Sequence, residues 1–143
     1  MTSNKVRNFL YKTETKFFIS STLFLTLASS LRHFWFNSSS WDLGIFEQAI
    51  FLISKGHEPF SSLLGFHILG DHGALILYPL ALFYKIFPST YFLFFLQSST
   101  LSSSIYPLNK LSKSNNISKK NLYASYAAFL LYPIVFNVNI FDF

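Results

Sequence analysis

Four of the six acidic residues of this chain, Asp42, Glu47, Glu58 and Asp71, lie between residues 42 and 71, and the four histidines, His33, His57, His67 and His72, lie in or beside that stretch. The densest stretch is Trp41-Asp42-Leu43-Gly44-Ile45-Phe46-Glu47-Gln48, followed by Gly70-Asp71-His72-Gly73. A carboxylate can take a proton from an attacking hydroxyl, and an imidazole can bind a metal or bond a phosphate. Titratable groups gathered beside long apolar runs point to chemistry at a membrane surface.

The rest of the chain lacks the charge to cover a water-facing surface. Hydrophobic residues make up 51% and charged residues 12% of the 143, and Phe contributes 19. A soluble domain carries about 25% charged residues. The net charge of +5 does not indicate a nucleic-acid partner. The lysines sit in short blocks beside apolar runs, as juxtamembrane anchors do, and not on an aromatic-interleaved basic face. With no cysteine, disulfides and thiolate metal sites are excluded.

The elements that would position the acids are apolar helices. A basic tail, residues 1–16, precedes a run from Phe17 to Phe36 that is long enough to span if Arg32 and His33 sit near the far interface. A signal peptide is the rival reading, disfavoured because further apolar runs follow. The external stretch is then 37–72. Within it Phe46, Ala49, Ile50 and Ile53 form a helical stripe, which predicts an interfacial amphipathic helix over 43–54 started by Asp42 and stopped by Gly56 and Pro59. Residues 73–87 are apolar but too short to cross, and Pro79 interrupts them. Runs at 90–108 and 122–140 are long enough to span, with Pro133 a kink in the second. Between them lies the basic loop 109–121, carrying Lys110, Lys113, Lys119 and Lys120.

Charge chooses between topologies. Four crossings would put the lysine-rich loop outside; three crossings, with 73–87 re-entrant or juxtamembrane, put it in the cytoplasm beside the basic N-terminus. The expectation is therefore an all-α membrane protein with three transmembrane helices, an external interfacial helix and a short re-entrant helix. Four spans are the alternative.

The segments Trp41-Asp42-Leu43-Gly44-Ile45-Phe46-Glu47-Gln48-Ala49, Gly70-Asp71-His72, Tyr78-Pro79, Phe87-Pro88-Ser89, Leu96-Gln97 and Asn139-Ile140-Phe141-Asp142-Phe143 resemble a family of bacterial predicted multi-pass membrane proteins, domain of unknown function 2079. That family looks allied to the type C (GT-C) glycosyltransferases, which use lipid-phosphate-linked sugars. The resemblance implies an inner-membrane enzyme with a polyprenyl-phosphate-linked sugar as donor. Asp42 would be the catalytic base and Asp142 a second acid at the next external loop. Arg32, Gln48 and His72 would contact substrate. Asp71 and His72 would hold a divalent metal, or His72 would bond the departing phosphate. Members of the family are longer, so the resemblance also implies an N-terminal fragment. A truncated, inactive remnant or a non-enzymatic membrane scaffold is the alternative function.

Blander roles stand beside these. Asp42 would cap the interfacial helix, Asp71-His72 would cap the helix after Gly73, Glu47 and Gln48 would form a polar face, and Arg32 would snorkel to the interface.

Overall fold

A computed structural model of the chain describes residues 2–38, 41–71 and 73–140, with side chains from Thr13 onward. No Gly or Pro occurs before Gly44, and Thr2–Phe34 form one uninterrupted helix, α1. It takes in the basic tail as well as the apolar run. Phe36 ends it at φ 57, with Phe36 N–H donating to the His33 carbonyl and Asn37 N–H to that of Arg32. This is a Schellman closure, made by Phe where Gly is usual.

The second helix, α2, spans Asp42–Ser54. It closes the same way at Gly56, φ 80, where His57 N–H reaches the Leu52 carbonyl. A small antiparallel hairpin follows, β1 (Phe60–Ser61) with β2 (Phe66–His67), in the register Phe60 to His67 and Ser61 to Phe66. Gly65, also at φ 80, supplies the left-handed residue of its turn. A single 3-10 turn, Ile68–Gly70, leads away from it.

The third helix, α3, is short, Leu77–Tyr84. Pro79 lies in its first turn, where the missing N–H costs nothing, so this proline marks a start and not a break. The stripe on α2 is spent on α3 and the 3-10 turn: Ile45, Ala49 and Ile50 are buried with Ile68, Leu77 and Ala81, and Phe46 and Ile53 pack at the edge. Burial against the protein, and not a lipid surface, takes up the amphipathic face.

The run 90–108 is not one helix. It divides into α4 (Thr90–Ser102) and α5 (Ile105–Ser114). Pro107 accounts for the division, since its ring excludes the carbonyl of Ser103 from a continuous helix. Two further helices, α6 (Lys119–Leu130) and α7 (Pro133–Ile140), meet at a 44° bend, with Pro133 opening α7.

Side-chain contacts fix the direction of each arm. Midway along α1, Glu14 pairs with Lys113, Phe18 meets the Tyr106 ring at a tilt, and Phe17 packs on Tyr123 and Tyr126. Near its end, His33 meets the ring edges of Tyr91 and Phe94, and Ser29 bonds Asn139. So α4–α5 run antiparallel to α1, α6–α7 return parallel to it, and α2, the hairpin and α3 gather at the C-terminal end of α1.

The fold is all-α apart from the hairpin. Among the described residues no single helix is long and apolar enough to cross a membrane, whereas α6 and α7 together meet that measure by length and composition. α1 has the length, but Ser20, Ser21, Thr22, Thr26 and Ser29 dilute its apolar character. Large apolar side chains stay exposed along the arms, among them Phe24, Leu27, Leu82 and Leu131, an excess a water-soluble surface does not carry in such continuity.

Candidate active site

The residue before Asp42 sets its position. Trp41 is the N-cap of α2, its carbonyl accepting from Ile45 N–H at 3.0 Å, and no side chain caps the helix. Asp42 is thus the first helical residue and does not act as the cap. Its negative charge sits in the first turn, where the helix dipole favours it. The side chain is exposed, and among the described residues no hydrogen bond or ion pair engages it. Leu43 and Ile45, both buried, anchor the same turn.

Glu47, one turn further, has structural work. Its Oε1 accepts from the Tyr84 hydroxyl at 2.8 Å and from Thr90 Oγ1 at 2.6 Å. One carboxylate oxygen therefore joins α2 to the end of α3 and the start of α4. Gln48 is tied to the hairpin: its Nε2 donates to Ser62 Oγ at 2.8 Å, and its Oε1 accepts from Ser62 N–H at 3.1 Å. Both ends of the amide are used within the protein. Ser62 follows the buried Ser61, so this pair locks the hairpin on α2.

The histidines disperse. His67 Nδ1 accepts from Leu69 N–H at 3.2 Å and caps the 3-10 turn. His33 lies 3.0 Å from Ser38 Oγ on the other side of the helix end. His57 is exposed. Asp71 follows the 3-10 turn at the surface, with its N–H on the Ile68 carbonyl. His72 and Asp142 lie outside the described residues. Among those described, no three His, Asp or Glu residues gather as a metal site would require.

A family model for predicted membrane proteins matches residues 32–143. The chain belongs to family DUF2079. The matched region of this DUF2079 chain starts at Arg32 and so contains α2, the hairpin and every arm after them, while leaving most of α1 outside. The family is one of membrane proteins, and the chain is assigned to a membrane on that ground. Neither the curated proteins nor the solved structures give a match.

Arg32, where the family match begins, donates through Nη1 to the Ile140 carbonyl at the end of α7. One turn earlier, Ser29 Oγ donates to the Asn139 carbonyl at 2.6 Å. The Asn139 side chain is 2% exposed and fully engaged: Nδ2 donates to the Leu25 carbonyl at 2.9 Å and to Ser29 Oγ at 2.7 Å, and Oδ1 accepts from Ser98 Oγ at 2.9 Å. Asn139 thus ties α7 to α1 and α4 in this DUF2079 protein. Sequence reasoning placed Asn139 in a motif but gave it no role. The available signal was a pair of Asn residues, Asn137 and Asn139, in an apolar run, where an amide needs partners on other helices.

Proposed function

We propose that the chain carries the acceptor-activating part of a membrane glycosyltransferase of the type C kind, with Asp42 as general base and a polyprenyl-phosphate-linked sugar as donor. One observation supports this above the others. Asp42 holds an exposed, unpartnered carboxylate on the first turn of a helix that Glu47, Gln48 and a buried stripe lock in place. A base needs that combination of a rigid mount and an accessible oxygen.

In this reading the acceptor hydroxyl attacks the anomeric carbon while Asp42 takes its proton. The new C–O bond forms as the bond to the phosphate oxygen breaks, and the lipid phosphate leaves with the electron pair. Arg32, held near the end of α1 by its bond to Ile140, supplies positive charge at the same end. Asp142 and His72 are further candidates by resemblance, for the second acid and the phosphate contact. Asp71 and His72 are, by resemblance, the residues that would hold a divalent metal.

The arms suit three crossings with α2, the hairpin and α3 on the external side, since α3 stays beside α2 and does not return along α1. The N-terminus and the α5–α6 turn then face the cytoplasm of a bacterial inner membrane.

The test is Asp42→Asn, which removes the base and keeps the shape. Transfer from a polyprenyl-phosphate sugar should fall by about 10²–10⁴ with membrane insertion unchanged. Unaltered transfer would remove Asp42 from the mechanism. Absence of both donor binding and transfer in the unmodified protein would favour a scaffold.

A further inference from the structure

Two asparagines stand on opposite faces of α7. Asn139 is buried, and its side chain is bonded at both ends. Asn137, two residues earlier, is exposed, and among the described residues no hydrogen bond engages its amide. It lines a groove of about 730 Å³ between α1 and the α6–α7 bend, walled by Phe17, Phe24, Leu25, Leu130 and Phe136 among others. Ser20 and Ser21 also reach that wall, but their hydroxyls donate back to the Phe17 carbonyl at 3.2 and 2.7 Å. Leu25 lies midway along the apolar run of α1, so Asn137 sits at the depth of lipid tails. Hydrocarbon offers an amide neither donor nor acceptor. An occupant that satisfies Asn137 brings its own hydrogen-bonding group to that level.

The two sides of Asn137 differ in shape. By helical spacing, Pro133 and Phe136 lie to one side of it and line the groove. Ile134 and Val138 lie to the other side, 59% and 49% exposed, and form a ridge. A two-fold axis along the membrane normal, passing beside Asn137, sets the ridge of each copy against the groove of the other. It also sets each Asn137 amide against its twin. An amide is both donor and acceptor, so such a pair satisfies itself through two reciprocal bonds.

We propose that this face of α7 binds a second copy of the chain, giving a two-fold dimer in the membrane with the Asn137 amides paired on the axis. Ile134 and Val138 of each copy fill the groove of the other. The inference rests on the membrane placement of α1 and α7 and not on Asp42, so a failure of the sugar chemistry leaves it standing.

The chain has no cysteine, so a single introduced thiol reports on the axis. In membranes under mild oxidation, Asn137→Cys should form a disulfide-linked dimer, and Val135→Cys, on the buried face, should not. Single-molecule photobleaching of the full chain, carrying one fluorophore and diluted stepwise in lipid bilayers, gives the dimer affinity. Asn137→Leu should weaken it about fivefold, the worth of two side-chain bonds between membrane helices, and Asn137→Gln should retain most of it. Ile134→Ala should weaken it to a similar extent through lost packing. Leu82→Ala, an exposed position on α3, should leave it unchanged. Monomers at every dilution would overturn the dimer and leave the groove to lipid or to a different helix. A dimer indifferent to both Asn137→Leu and Ile134→Ala would place the interface elsewhere and overturn this face. Assemblies larger than two would mean a head-to-tail contact and overturn the two-fold axis.

Discussion

The hydroxyl of Tyr84 donates to Glu47 Oε1 at 2.8 Å, and this bond joins two helices that are separated by the whole hairpin. Thr90 adds a second donor to the same oxygen at 2.6 Å. The carboxylate is a junction for α2, α3 and α4, and its loss leaves two hydroxyls without their acceptor. Glu47→Ala should lower stability by about 3 kcal/mol, and Tyr84→Phe by about half as much. Thermal unfolding in detergent, read by circular dichroism, gives both values. Equal unfolding temperatures for the unmodified and Glu47→Ala proteins would show that the junction is not used.

Asn139 is the polar lock of the opposite arm. Bonds of this kind between membrane helices are each worth about 0.6 kcal/mol, so Asn139→Leu should cost about 2 kcal/mol through its three side-chain bonds. Hydrogen exchange should quicken over α7 and spare α2 and α3. Uniform quickening would mean that the lock holds the entire fold and not one helix.

Phe36 is 95% exposed at φ 57. A side chain in this conformation costs about 1–2 kcal/mol and here makes little packing contact in return. Phe36→Gly should therefore stabilise the end of α1 by about 1 kcal/mol. Destabilisation would indicate that the ring is seated in the bilayer interface.

The absence of cysteine makes topology directly measurable. In intact cells, a membrane-impermeant thiol reagent should label Glu58→Cys and leave Ser114→Cys untouched. Labelling of Ser114→Cys from outside would overturn the three-crossing arrangement.

The part of the fold carried by local pattern was legible. The 43–54 helix follows from its stripe and from Gly56, and it is found at Asp42–Ser54. The bend at Pro133 is found at 44°. Legibility failed where a local cue was outweighed or overlooked. The 90–108 run reads as one span by hydropathy, but Pro107 divides it. The amphipathic stripe reads equally well as lipid contact or protein contact, and only the position of α3 decides. Asp42 has the residue type of a cap, yet Trp41 takes the position one residue earlier. The Glu47, Gln48 and Asn139 bonds depend on partners from 14 to 114 positions away, which no spacing rule reaches.

The bonds from Asn139 to Leu25 and Ser29 also impose an order of assembly. Their partners lie 114 and 110 positions apart. During synthesis α1 is made with Ser29 facing nothing yet, and α4 is made before α7 is. The hydroxyl waits until the last described helix arrives. The lock on α1 therefore forms only after α4 and α7 have both been made, and until then the Leu25 carbonyl and the Ser29 hydroxyl are without the Asn139 side chain.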